Sequence, residues 1–191
     1  MRGAVLYGPR DVRFEERETP KIMKVTDAII RIAATCVCGS DLWSYRGIQP
    51  ITQPTPMGHE YCGIVEVGSA VTSIKPGQFV IGSFFASDNT CPNCQIGYQS
   101  SCQHAEFVGT AQAPLLRVPL ADGTLVTTPD VPWGEMVPSL SALSDVMGTG
   151  WSAADAATRS RARRSRLSVT VRLACWVCSP RSRWAPSGSL R

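Results

Sequence analysis

The sequence lacks any long apolar segment. Its hydrophobic runs are broken by charged residues, Gly or Pro before they reach the roughly 18 residues that a membrane-spanning helix needs. The N-terminal segment MRGAVLYGPRDVRFEE also has no hydrophobic stretch followed by the small residues of a cleavage site, which argues against a signal peptide. We therefore expect no membrane partner and, by default, a cytoplasmic location.

The chain is too short for a large two-domain enzyme. Its 191 residues can hold one full domain and part of a second. No internal repeat is visible. In a cytosolic protein, the eight cysteines are expected to be metal ligands or small buried thiols rather than a disulfide framework.

Acidic residues and lysine are missing from residues 159–191, which contain nine arginines. Residues 1–158 consequently carry ten basic and 15 acidic side chains, so the net charge of +4 describes neither part of the chain. The Arg-rich tail mixes its charges with Trp, Val and Leu without helical or strand periodicity, which favours disorder. A nucleic-acid or membrane-surface arm is the less favoured interpretation.

Short β-rich runs separated by Gly/Pro turns dominate the first part of the chain and predict a mainly β domain with long functional loops. The predicted strands are Ala28 to Ala33, Gly63 to Val67, Gln78 to Ile81 and Leu115 to Val118. A helical pattern is visible near Pro138 to Val146, and Ser152 to Thr158 is expected to begin another helix.

Two segments contain a first pair of candidate metal ligands. Cys38 opens the segment CGSD, and His59 lies near the start of GHEYCGIVEVGSAVTSIKPGQFVIG. A thiolate and an imidazole are both good zinc donors. The two segments together closely resemble the zinc-containing medium-chain alcohol dehydrogenase family, over about residues 1–158. The resemblance implies a GroES-like β-barrel catalytic domain with a zinc-binding lobe over residues 1–150.

The resemblance also implies a catalytic zinc. The family's ligands in CGSD and GHE correspond to Cys38 and His59, and the ligand that precedes a Thr-Gly pair corresponds to Asp145 in LSDVMGTG. Glu60, next to His59, is expected to be a fourth or transient ligand, or else an acid outside the coordination sphere. A carboxylate ligand is harder than a thiolate and suits the polarisation of an alcohol or aldehyde oxygen.

Four further residues receive roles by the same resemblance. Ser40 is expected to take the alcohol proton. Asp41 is expected to orient His59 through its second ring nitrogen, or alternatively to cap a loop. Trp43 is interpreted as a wall of the substrate pocket, with a core position as the alternative. Thr149 is expected to pack near a nicotinamide.

A second candidate metal site lies in the spacing Asp88, Cys91, Cys94 and Cys102. Three cysteines at this spacing can bind one ion, and the resemblance supplies a lobe with four Cys in which Asp88 replaces the first. A Cys₃Asp zinc site is chemically sound, and a lobe without metal is the alternative. The nearby His104 matches no ligand position of the family and is expected to be a surface residue.

The other cysteines are assigned no chemistry. Cys36 and Cys62 lie in apolar stretches, where free Cys behaves as a small buried hydrophobe. Cys175 and Cys178 form a CxxC without a partner pair, which is weak support for a redox or zinc motif.

The sequence offers no GxGxxG turn where the family begins its cofactor domain. With one particular choice of codons ending in G or C for Arg164 to Cys175, another reading frame encodes a strand followed by such a turn. Residues 151–191 are therefore interpreted as the aborted start of a Rossmann cofactor domain, frameshifted, disordered and a poor dinucleotide binder.

The predicted function is hydride transfer between a small alcohol or aldehyde and NAD(P), dependent on Zn²⁺ and impaired by the shortened cofactor domain. The alternative is a non-catalytic, zinc-binding remnant of such an enzyme. No nucleic-acid partner is expected, and the sequence does not indicate an oligomeric state.

Overall fold

The computed structural model describes residues 1–68 and 70–159. The chain divides into two compact units, of which the first is Met1–Ser144 and the second begins at Asp145. The predictions for the Arg-rich tail, for Cys175 and Cys178, and for the shifted reading frame fall outside the described residues. Among the described residues, no helix is long and apolar enough to cross a membrane.

The first unit is mainly β. Its described strands, in chain order, are β1 (Arg2–Gly8), β2 (Asp11–Glu16), β3 (Ala28–Thr35), β4 (Thr55–Pro56), β5 (Tyr61–Gly68), β6 (Phe79–Gly82), β7 (Phe85–Ala86), β8 (Glu106–Phe107), β9 (Leu115–Val118) and β10 (Leu125–Thr127). They form a five-stranded sheet in the order β10-β6-β5-β3-β9, a three-stranded sheet β2-β1-β4 and a small ribbon β7-β8. Every strand pair in these ranges is antiparallel.

The helices of the first unit are short. They are α1 (Asp41–Tyr45), α2 (Pro92–Gln95), α3 (Ala121–Thr124) and α4 (Val137–Ser141), with 3₁₀ turns at Gln99–Ser101, Gly134–Met136 and Ala142–Ser144. Helices of one turn bury too little surface to be stable alone, so the sheet must hold them in place. Helix α4 accordingly packs on β3 and β5.

The main core lies inside the five-stranded sheet. The β-branched and aromatic residues that favour strands also fill the core, among them the fully buried Ile30, Tyr61, Val80 and Val118. Tyr61 donates its buried hydroxyl to the Ser83 carbonyl at 3.2 Å, which satisfies the one polar atom on its ring.

Strands β3 and β5 are paired through two irregularities. Ile32 pairs with Gly63 and Ala34 with Cys62, so Ala33 is one extra residue on β3. On β5 the extra residue is Glu66, between the partners of Ile29 and Ile30. Such bulges re-aim the strand that follows them. On the C-terminal side of the Ala33 bulge, the Thr35 hydroxyl donates to the Glu60 carbonyl at 2.8 Å.

The second unit is described as a single helix, α5 (Val146–Arg159). The sequence predicted one helix over Pro138 to Val146 and a new one from Ser152. Both sets of bounds were wrong, because α4 ends at Ser141, a 3₁₀ turn follows, and α5 already begins at Val146. The predicted strands were confirmed to within two residues at each end, with Leu115–Val118 reproduced in full.

Candidate metal centres

The predicted lobe brings three thiols and a carboxylate together. One ligand atom from each of Asp88, Cys91, Cys94 and Cys102 lies within 4.8 Å of the others. Cys91 Sγ is 3.5 Å from Cys94 Sγ and 3.9 Å from Cys102 Sγ, and the three thiols form a small buried cluster of their own. These are free thiols, and a Cys₃Asp set suits zinc.

Local backbone geometry builds this cluster. Cys91 precedes Pro92, which opens the one-turn helix α2 and places Cys94 back over Cys91. Asp88 Oδ1 accepts the amides of Thr90 at 2.9 Å and Cys91 at 3.1 Å. Those two amides, together with His104, hold the pKa of Asp88 well below its usual range, so the carboxylate is the form present at neutral pH.

His104 contacts two members of the lobe cluster. Its Nδ1 lies 2.6 Å from Asp88 Oδ2, and its backbone amide donates to Cys102 Sγ at 3.4 Å. The His104 side chain is 65% exposed, in agreement with the predicted surface position, whereas that of Asp88 is 11% exposed. The contact with Asp88 was not predicted, and the only sequence signal for it is the two-residue separation of His104 from Cys102.

The second cluster in the first unit contains Cys38, His59 and Glu60. One ligand atom from each lies within 4.8 Å of the others. His59 and Glu60 directly precede β5, while Cys38 directly precedes the loop that enters α1. The pairing of β3 with β5 therefore brings together residues that are 21 positions apart in the sequence.

Glu60 contributes a buried carboxylate to this cluster. Its side chain is fully buried, and neither carboxylate oxygen has a hydrogen-bond partner among the described residues. A buried, unpartnered carboxylate costs considerable free energy, so its presence beside a thiol and an imidazole fits a cation site. The residues present thus suit the zinc ion that the sequence implied.

Asp41 connects two of the proposed ligands. Its Oδ1 lies 3.3 Å from His59 Nδ1, and its Oδ2 accepts the backbone amide of Cys38 at 2.8 Å. The two roles that the sequence left as alternatives, orienting the imidazole and capping the loop, therefore correspond to contacts of two different oxygens. An Nδ1 proton directed at Asp41 leaves Nε2 as the lone-pair nitrogen.

Ser40 lies on the opposite side of the imidazole. Its Oγ is 3.4 Å from His59 Nε2, so the hydroxyl donates if Nε2 carries the lone pair. Ser40 is the residue directly before α1, and its φ of −66° and ψ of −33° are already helical. The backbone thus places the hydroxyl beside the metal-binding cluster.

Two phenylalanine rings lie near the imidazole of His59. The Phe84 ring meets it edge-on at 5.8 Å, and the Phe107 ring lies 6.4 Å away. Neither phenylalanine was singled out from the sequence, although Phe84 lies three residues after the predicted strand that ends at Ile81. Trp43 is 57% exposed, so its alternative interpretation as a core residue was wrong.

Three further residues from the sequence predictions, Asp145, Cys62 and Cys36, make the following contacts. Asp145 begins the second unit, where its Oδ1 accepts the Thr149 hydroxyl at 2.8 Å. Cys62 is fully buried, and burial raises the pKa of its thiol to about 11, as expected for an inert cysteine. Cys36 is only half-buried and contacts the Ser141 hydroxyl at 3.1 Å.

A small apolar cavity lies elsewhere in the first unit, between β6, β10 and the turn at Ala142–Ser144. Its volume is about 230 Å³. The lining residues are Ile81, Gly82, Ser83, Thr124, Val126, Leu143 and Ser144. None of the candidate metal ligands lines it.

Comparison with known proteins relates this geometry to a family. Residues 24–140 match the model of the alcohol dehydrogenase GroES-like domain. Zinc-type alcohol dehydrogenase B of Aspergillus flavus is 39% identical over 160 residues, covering 81% of this chain and 37% of that protein. A probable zinc-binding alcohol dehydrogenase of Mycobacterium tuberculosis is 34% identical, covering 82% of this chain and 42% of its own length.

A solved structure gives the same relationship. The alcohol dehydrogenase of Aeropyrum pernix superimposes with a TM-score of 0.72 at 27% identity, over 84% of this chain and 49% of that one. The chain therefore spans about half, or less, of the length of these relatives. With its mainly β fold and its match over residues 24–140, the chain belongs to the family of zinc-type, medium-chain alcohol dehydrogenases, whose GroES-like domain it contains.

Proposed function

We propose that this chain is the zinc-binding, catalytic part of an oxidoreductase that transfers hydride between a small alcohol or aldehyde and NAD(P). The observation that carries the proposal is the buried Glu60 carboxylate, without hydrogen-bond partners among the described residues, beside Cys38 and His59. The names of its relatives, zinc-type and zinc-binding alcohol dehydrogenases, support the same chemistry.

Cys38, His59 and Glu60 are the proposed zinc ligands from the first unit, and Asp145 is proposed as a further ligand. The argument for Asp145 is its sequence position before Thr149-Gly150, which matches the family's third ligand. A zinc ion in this site supplies a Lewis acid that polarises an alcohol or carbonyl oxygen. Thr149 is proposed to pack near the nicotinamide.

The chain's own residues handle the proton and the orientation. Asp41 fixes the His59 ring with Nδ1–H toward its carboxylate, so Nε2 is presented to the ion. Nε2 has one lone pair, so if His59 held a zinc ion through it, the Ser40 hydroxyl would no longer have Nε2 as an acceptor. The Ser40 hydroxyl would then be available to accept the proton of the alcohol while it passes its own proton to solvent.

The substrate side of the site is apolar. Phe84 and Phe107 present aromatic rings to His59, which favours the hydrocarbon part of an alcohol and excludes water from the reacting atoms. The exposed Trp43, on α1, is proposed as a further wall of the substrate pocket. A second, structural zinc is proposed for the lobe, with the ligands Asp88, Cys91, Cys94 and Cys102. We further propose that residues 1–150 fold as the zinc-binding domain.

A non-catalytic, zinc-binding protein is the second candidate function, and the lack of a GxGxxG turn in the sequence favours it. The deciding experiment uses the full chain, purified with zinc. Native mass spectrometry counts the bound ions, and alcohol oxidation is followed at 340 nm with NAD or NADP. Two ions and activity that Cys38→Ser abolishes support the oxidoreductase. Two ions with neither activity nor saturable nicotinamide binding support the second candidate.

A further inference from the structure

The replacement of a cysteine by Asp88 changes what the lobe needs around its ligands. A thiolate binds a metal through one atom, whereas a carboxylate has a second oxygen that requires its own partner. Asp88 Oδ1 faces the thiols, with Cys102 Sγ 3.5 Å away. Because the side chain is only 11% exposed, water gives Oδ2 limited compensation.

His104 is the hydrogen-bond partner of Asp88 Oδ2. Its Nδ1 lies 2.6 Å from Asp88 Oδ2, a short contact typical of a charge-assisted hydrogen bond. Its backbone amide also donates to Cys102 Sγ, so one residue contacts two neighbouring members of the cluster. The amides of Thr90 and Cys91 contact Oδ1, so without His104 these contacts would hold the carboxylate at that oxygen and leave its plane less constrained.

We propose that His104 is a positioning residue for the metal of this lobe: it fixes the plane of the Asp88 carboxylate, so that one oxygen faces the thiols while the other is paired with the imidazole. The inference rests on the proposed structural zinc site. In this arrangement His104 binds no metal itself, and its role exists only because an aspartate stands at position 88. The aspartate and the histidine then form one functional unit of the lobe.

The test measures zinc affinity by competition with a chromophoric chelator, in the full chain carrying Cys38→Ser and His59→Asn so that only the lobe site remains. His104→Ala is expected to weaken zinc binding by about 10–100-fold, as loss of a ligand's orienting partner does in other proteins. His104→Asn, whose amide nitrogen can occupy the place of Nδ1, is expected to restore most of the affinity. Gln103→Ala, at the exposed neighbouring position, serves as the matched control.

A second background separates positioning from direct ligation. With Asp88→Cys the fourth ligand is a thiolate without a second oxygen, so His104→Ala is expected to leave zinc affinity unchanged. An equal loss in both backgrounds would identify His104 as a ligand and overturn the proposal. Unchanged affinity of His104→Ala beside Asp88, or no rescue by His104→Asn, would overturn it as well.

A folding control and a site control complete the design. The far-UV circular dichroism spectra of the metal-free His104→Ala and Gln103→Ala chains should agree, and Co²⁺ spectra should retain their thiolate charge-transfer bands in both. If Cys91→Ser with Cys94→Ser leaves zinc binding unchanged, the lobe site itself is refuted and the inference with it. Loss of zinc in that variant together with full affinity in His104→Ala refutes the inference alone.

Discussion

The carboxylate of Asp41 and the imidazole of His59 form a largely buried pair, with Oδ1 3.3 Å from Nδ1 and side-chain exposures of 12% and 10%. The other carboxylate oxygen holds the amide of Cys38. A single side chain therefore constrains two proposed ligands of the catalytic zinc.

Asp41→Asn should weaken zinc binding at this site, because an amide can replace only one of the two acceptor contacts and carries no charge. We expect an affinity loss of about 10–100-fold, measured by chelator competition in a chain whose lobe cysteines are intact. Asp130→Asn, a charge-matched change at an exposed position, should have no effect. Equal affinities of the two variants would contradict the orienting role.

Glu60→Gln should change the stability of the metal-free and the zinc-loaded chain in opposite directions. Without metal, removal of an unpartnered buried charge should raise the midpoint of thermal unfolding. With zinc, the loss of a ligand oxygen should shrink the stabilisation that the ion confers. Both midpoints come from scanning calorimetry with and without chelator, and Glu135→Gln is the exposed control. A lower midpoint without metal would show that Glu60 is satisfied in some other way.

Gly82→Ala should destabilise the first unit. A Cβ at Gly82 would lie 2.2 Å from the hydroxyl oxygen of the fully buried Tyr61 and 2.4–2.5 Å from two of its ring carbons, so the whole ring would have to shift. Overpacking of this kind costs about 1–3 kcal/mol. Gly134→Ala, where a Cβ meets no heavy atom within 4 Å, is the matched control. Urea titrations of both variants measure the difference, and equal midpoints would contradict it.

Asp27 should make stability depend on pH in the acid range. Its side chain is fully buried, and Arg117 Nε donates to Oδ2 at 2.6 Å. Burial alone would raise the pKa of Asp27, but the hydrogen bonds from Arg117 and from the amides of Lys24 and Met23 outweigh it and lower the pKa. The stabilisation is therefore present above the unfolded-state pKa of about 3.9 and is lost as pH falls through the folded-state value.

Asp27→Asn should accordingly lower the free energy of unfolding at pH 7 by about 1.5–3 kcal/mol, the range for hydrogen bonds to charged groups. The difference in free energy of unfolding between Asp27→Asn and the wild-type chain should decrease as the pH falls below 4. Asp130→Asn again serves as the exposed control. Urea midpoints between pH 3 and 7 provide the test, and a difference that stays constant over that range would count against this pair.

The clustering of the three lobe cysteines was predictable because their geometry is local. Cys91 and Cys94 are separated by one helical turn, and Cys102 returns after a short loop, so linear spacing is enough to indicate the cluster. The strands were predictable for a similar reason, since their β-branched runs also fill the core.

The unpredicted contacts join residues whose relationship depends on the fold. Arg117 reaches Asp27 across 90 positions, and the Phe84 and Phe107 rings meet His59 only after β7 pairs with β8. The contact between His104 and Asp88 depends on the path of the exposed loop after Cys102, which brings the imidazole to the carboxylate. The helix bounds failed for another reason: a 3₁₀ turn at Ala142–Ser144 separates two helices within one continuous helical pattern.

The extra residue Ala33 on β3 determines which kinds of sequence change this site can accept. Deleting it would draw Cys38 back by one strand position relative to His59, about 3.3 Å, which far exceeds the roughly 0.2 Å tolerance of a zinc–ligand distance. Substitutions between Ile32 and Cys38 can preserve the site, whereas changes of chain length there cannot. The evolutionary record of this segment should therefore vary in composition while its residue count stays fixed.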